Sequence, residues 1–76
     1  MDDHVRASAE VLGTFLRERG FDILSRTKEL TEAAREHPQF ADMGERELGS
    51  VVSIVQVRWH REATEFRRAG IKSARS

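Results

Sequence analysis

Apolar side chains recur along the chain at spacings of three and four residues, the period of one face of an α-helix. Because the first such stripe starts near Asp3, we expect a helix over residues 3–19. Gly20 ends it, since glycine accepts the left-handed conformation that follows many helices, and Phe21 then packs back onto the last turn. The stripe consists of Val5, Ala9, Leu12 and Leu16.

The same period predicts a second helix over residues 22–37. Either Asp22 or Ser25 caps its first amide groups, since both side chains carry a suitable acceptor. Pro38 ends it, because the residue before a proline avoids helical geometry. Residues 38–42 then form a short connection that Phe40 anchors in the core. The inner stripe is Ile23, Thr27, Leu30, Ala34 and His37.

A third, longer helix is predicted over residues 43–69. Asp42 and Glu45 have the spacing of a capping box at its start, and Gly70 followed by Ile71 repeats the earlier end signal. Residues 1–71 then form a single domain, and residues 72–76 a disordered tail. Its stripe is Leu48, Val52, Val55, Trp59 and Phe66.

Residues 50–59 also allow a second interpretation. They contain five β-branched aliphatic residues, which favours a strand. A single strand would leave its backbone groups without partners, and the helical stripe continues past Trp59. We therefore predict helix there, and an all-α three-helix bundle for the chain.

The third helix is predicted to be about 40 Å long and the other two about 24 Å each. Ile54 and Val57 lie off its main stripe, so its middle is apolar on more than one side, which indicates burial against another chain. We expect a homodimer; isolated apolar residues on a monomer surface are the alternative. Trp59 is either a core residue or an anchor of that interface. The predicted interface residues are Val51, Ile54, Val57, Arg58, Trp59 and Arg61.

Charge is balanced overall but not along the chain. The 76 residues hold 13 basic and 13 acidic side chains. Residues 1–57 carry a net charge of −4 and residues 58–76 a net charge of +4. Such a basic end fits either an acidic partner or a solvated helix C-terminus. The possible nucleic-acid contacts are Arg58, Arg61, Arg67, Arg68, Lys72 and Arg75.

Motifs for chemistry are absent from the sequence. It contains no cysteine, and His4, His37 and His60 lack the spacing of metal ligands. It contains neither a glycine-rich phosphate loop nor a nucleophile elbow. We expect no enzyme activity, no metal or other cofactor and no small-molecule substrate. The N-terminus lacks a signal-peptide pattern, and no stretch is apolar enough to cross a membrane, so a cytoplasmic location is expected.

Three functions fit this pattern. The first is a protein-binding regulatory or adaptor module that acts through an apolar helix surface as a homodimer. The second is a dimeric DNA-binding transcriptional regulator that uses the basic end of the third helix. A balanced net charge and a long connection before the third helix both count against the second. The third is a structural subunit of a larger assembly.

Overall fold

A computed structural model of the chain describes the backbone of residues 3–75 and the side chains of residues 3–66. It contains three helices: α1 (Asp3–Glu18), α2 (Thr27–Ala34) and α3 (Glu45–Arg75). No strand occurs in this part of the chain. The predicted all-α three-helix bundle is confirmed, and residues 50–59 are helical, as predicted.

The helices run up, down and up. The first turns of α1 and α3 meet at His4 and Glu47, and their later turns meet at Arg17 and Glu62. These two helices are therefore parallel. The start of α2 lies beside the middle of α3, where the Gln56 amide donates to the Thr27 hydroxyl. Helix α2 returns the chain to the starting end, so that α3 can begin beside α1.

The core fills the space between the three helices and is built mostly from alanine, valine and leucine side chains, with Phe40 and Trp59 as its aromatic members. Phe40, which lies in the connection before α3, is completely buried, as predicted. Trp59 is the last buried residue among those described in α3. The other buried apolar residues are Ala9, Leu12, Leu16, Leu30, Ala33, Ala34, Leu48, Val51, Val52 and Val55.

Helix α1 ends as the sequence predicts, within one residue. Gly20 has a φ of 93°. The Phe21 amide donates to the Leu16 carbonyl, and the Gly20 amide donates to the Arg17 carbonyl. This pair of bonds is a Schellman motif, and Phe21 packs against the core.

Helix α2 is much shorter than the predicted 22–37. Asp22 and Ser25 do not cap it; the Leu24 amide donates to the Asp22 carboxylate at 2.9 Å, and the Asp22 amide donates to the Ser25 hydroxyl at 3.0 Å. Such local bonds stabilise a turn in competition with a helix. The helix begins after Arg26, whose amide donates to the Glu29 carboxylate.

The predicted inner stripe of α2 is partly wrong. Leu30 and Ala34 are buried, but Thr27 is exposed, and Ile23 precedes the helix and is also exposed. His37 lies beyond its end and is partly buried between the rings of Phe15 and Phe40, at centroid distances of 4.8 and 5.2 Å. It packs there as a structural aromatic residue.

Helix α3 starts two residues later than predicted, so Asp42 is not its cap. Arg35 holds the preceding connection, because its guanidinium donates to the carbonyls of Phe40, Ala41 and Met43. The Met43 amide also donates to the Phe40 carbonyl. Residues 40–43 therefore form a turn, and α3 begins after them.

Helix α3 also continues past its predicted end. It has 31 residues, about 46 Å at 1.5 Å per residue, against 16 residues in α1. The stop expected at Gly70 is wrong. The helical backbone includes residues 72–75 of the segment predicted as a disordered tail, and Ser76 lies outside the described residues. We call residues 63–75, which follow the last ion pair with α1, the overhang of α3.

Candidate protein-interaction surface

A groove of ≈ 640 Å³ runs between α1 and α3. Arg58 and Glu10 both line it, and the Arg58 guanidinium lies 3.4 Å from the Glu10 carboxylate. Four of the six predicted interface residues line this groove. Its lining, which we call the α1–α3 groove, consists of Arg6, Ala7, Glu10, Ser53, Ile54, Val57, Arg58 and Arg61.

Three apolar side chains line the α1–α3 groove, and we call them its floor: Ala7, Ile54 and Val57. Val57 is 57% exposed, and Ile54 is partly buried against the edge of the core. Val57 faces outward because Val55 and Trp59, two residues away on either side, occupy the inner face of the same helix. A helix turns 100° per residue, so a residue between two inward positions points away from them.

Two of the predicted interface residues lie in the core instead. Val51 is fully buried and Trp59 is 4% exposed. The Arg17 guanidinium covers the Trp59 ring, 5.3 Å from its centroid. Both side chains therefore belong to the core, and neither lines the groove.

Charged side chains form the rim of the groove. Arg58 and Glu62, which are four residues apart on α3, both pair with residues of α1. Glu62 accepts a hydrogen bond from Arg17 at 2.7 Å, and Arg58 lies close to Glu10. Arg61 is exposed at the groove. With Arg6 on the opposite wall, the rim carries three cations and one carboxylate.

A second apolar area lies where α3 leaves the bundle. Phe66 is 81% exposed, although the stripe predicted it in the core. Its helical register is correct, but α1 ends at Glu18, so no helix lies opposite it. Ile23 and Ala63 border the same shallow depression, and Leu24 in the adjoining turn is 86% exposed. The exposed Asp22–Ser25 turn was missed from sequence, although a serine three residues after an aspartate is a typical turn signal.

The possible nucleic-acid contacts all lie on α3. Arg58 and Arg61 border the groove; the side chains of Arg67, Arg68, Lys72 and Arg75 lie outside the described residues. Between α2 and α3 the chain makes a ten-residue connection, 35–44. A helix-turn-helix unit usually has a turn of about three to four residues there, so α2 and α3 do not form that motif.

Groups of three or more histidine or acidic side chains arranged to hold a metal ion do not occur among the described residues. Within the same part of the chain, none of the helices has the length and apolar content needed to cross a bilayer. Comparison of the chain with known protein families, with curated proteins and with solved structures finds no match.

Proposed function

We propose that this protein is a protein-binding regulatory or adaptor module that binds a helix in its α1–α3 groove and works as a homodimer. The observation that carries the proposal is the exposure of Val57 beside Ile54 between two parallel helices. A groove with an apolar floor between helices is the typical seat of an amphipathic helix.

The energetics favour such a partner. Covering one exposed valine side chain is worth about 1–2 kcal/mol, and Ile54 adds the part of its surface that remains in water. Interface binding energy concentrates in a few central apolar or arginine residues that neighbouring side chains shield from water. Arg58 and Arg61 stand beside Val57 and supply such a shield.

The charges of the rim define the bound helix further. Arg6, Arg58 and Arg61 surround the floor, and Glu10 is the single carboxylate among the lining residues. A complementary helix therefore has an apolar stripe flanked by acidic side chains, because opposite charges across an interface fix its orientation and speed its encounter.

Replacing Val57 by Asp tests the proposal. Binding of a helix would bury the new carboxylate, which opposes binding, whereas Val57 is not part of the core of the monomer. We expect tagged wild-type protein to retain a specific host protein in 0.5 M salt and the V57D variant to lose it, with at least a tenfold drop in affinity. Circular dichroism should show the same helix content in both.

Leu24→Asp is the matched control, since Leu24 is an exposed apolar residue outside the groove. It should retain the same protein as wild type. Equal retention by wild type, L24D and V57D would exclude the groove as the binding site.

The alternative is a dimeric DNA-binding regulator. It is supported by the continuous backbone of α3, which carries Arg58, Arg61, Arg67, Arg68, Lys72 and Arg75 on one helix. It is opposed by a net charge of zero, since nucleic-acid-binding domains are typically basic, and by the long connection between α2 and α3. DNA affinity that falls steeply with salt and is lost on replacing Arg67 and Arg68 by Ala would favour this alternative.

A further inference from the structure

We infer that the helix seated in the α1–α3 groove is α3 of a second copy of this chain, running antiparallel to the first. The inference rests on the proposed function insofar as both use the same groove: the second copy occupies it in the free homodimer, and a host helix binds there by replacing the second copy. It adds the identity of the occupant and the direction in which it lies.

Charge decides the direction. The overhang and the turn before it, residues 58–75, contain six cations and two carboxylates, whereas residues 1–57 carry a net charge of −4. Glu45 and Glu47 lie in the first turn of α3, and Asp3 opens α1 beside it. A parallel pair would bring the two basic ends together. An antiparallel pair places each basic end against the acidic end of the other copy, which is the favourable arrangement.

In that arrangement the two copies of α3 overlap for about 18 Å on either side of Val57. From Val57 back to Glu45 the helix rises about 18 Å, and from Val57 forward to Arg75 about 27 Å. In an antiparallel pair centred on Val57, residue 67 of one copy lies level with residue 47 of the other. Residues 64–66 of the overhang are exposed in the monomer. In the pair, residues 63–69 lie along residues 45–51 of the second copy, and residues 70–75 extend beyond its Glu45.

Symmetry and net charge also favour a second copy as the occupant. A twofold axis near Val57 makes the same surface serve both copies, so the exposed Val57 side chains cover each other. Each chain has a formal net charge of zero at pH 7, so copies approach one another without long-range repulsion. In this register Arg58 and Arg61 of each copy lie level with Gln56 and Ser53 of the other copy.

Distance measurements between spin labels test the direction directly. The natural chain has no cysteine, so Glu45→Cys and His60→Cys each give a single labelling site on an exposed position of α3. In the antiparallel dimer the two labels at position 45 are separated by about 36 Å along the axis, and the two at position 60 by about 9 Å.

A parallel dimer would instead bring both pairs of labels within about 20 Å, because packed helix axes lie about 10 Å apart. A short distance at position 45 therefore overturns the inference. The inference is also overturned if neither labelled position shows dipolar coupling and sedimentation at tens of micromolar shows a monomer.

Charge reversal provides an independent test. Glu45→Lys with Glu47→Lys should weaken dimerisation about tenfold, since four exposed charge contacts per dimer become repulsive. Adding Arg67→Glu and Arg68→Glu to the same chain should restore it, because the reversed ends again meet their opposites. In a parallel dimer neither the loss nor the recovery would occur.

Glu18→Lys with Glu32→Lys is the matched control. It makes the same change in net charge on exposed positions of α1 and α2, away from the groove, and should leave dimerisation close to that of wild type. Equal weakening by this control and by the α3 pair would show a general charge effect and would overturn the inference.

The two proposals fail in different ways. A monomer whose host partner is lost in V57D contradicts the antiparallel dimer, and with it the homodimer of the proposed function, and leaves helix binding in the groove standing. An antiparallel dimer whose host partner is retained by V57D contradicts the binding function and leaves the dimer standing.

Discussion

At the scale of single residues, the glycine within α1 and the glycine that follows its end differ in backbone conformation. Gly13 lies within the helix, and a methyl group added there would lie 3.8 Å from both the Trp59 indole nitrogen and a Val55 methyl, which is ordinary contact. Gly20 has a positive φ and open space around it. Space is available at both positions, and only the backbone conformation distinguishes them.

Substitution by alanine should therefore change stability in opposite directions. Gly13→Ala should raise the free energy of unfolding by about 0.5–1 kcal/mol, because glycine is unfavourable inside a helix. Gly20→Ala should lower it by about 1–2 kcal/mol, because the alanine must adopt the left-handed region. Urea unfolding followed by circular dichroism measures both, and two shifts of the same sign would contradict this account.

At the scale of elements, the length of α3 separates folding from association. All the buried apolar residues identified in the core precede residue 60, while the overhang lies beyond. Phe66, placed on the inner stripe by its register, is exposed because α1 is too short to reach it. The part of α3 that builds the core and the part that carries most of the basic charge are therefore different parts of one helix.

A chain that ends after Phe66 should keep its cooperative unfolding transition but lose self-association by at least tenfold, because the basic half of the proposed interface is removed. A full-length variant in which Arg67, Arg68, Lys72 and Arg75 are all replaced by Gln should associate as weakly as the shortened chain. Sedimentation velocity measures the association. Unfolding of the shortened chain would show that the overhang stabilises the monomer.

At the scale of the whole molecule, the shape reflects a small core with a projecting helix. The chain extends 50 × 26 × 16 Å, and twelve buried apolar residues form the core within the part whose side chains are described. A core of this size leaves a chain of 76 residues with a modest margin of stability. Association that covers Val57 and the overhang would add to that margin.

The melting temperature of the wild-type protein should therefore rise with protein concentration. Only folded chains dimerise, so dimerisation stabilises the folded state by mass action. A hundredfold increase in concentration should raise it by roughly 5–11 °C, because the gain near 2.7 kcal/mol per dimer is about 1.4 kcal/mol for each chain. The melting temperature of V57D should be independent of concentration. Wild-type melting that is also independent of concentration would contradict the dimer.

The sequence by itself determined the features that depend on neighbours along the chain. These are the helical periods, the end of α1 at Gly20 and Phe21, the burial of Phe40, and the helical state of residues 50–59. Each rests on local backbone preference or on a stripe long enough to be read without knowing its partner.

The tertiary structure decided the features that depend on which groups lie opposite. It assigned Val51 and Trp59 to the core and Val57 to the groove, directed Arg58 and Glu62 to α1, and left Phe66 exposed. It also shortened α2, because side chains at Asp22 and Ser25 bonded to the backbone of a turn, and extended α3 beyond Gly70. A periodic stripe specifies the face of a helix, whereas burial requires a second surface, and the position of that surface is set by the lengths of the other helices.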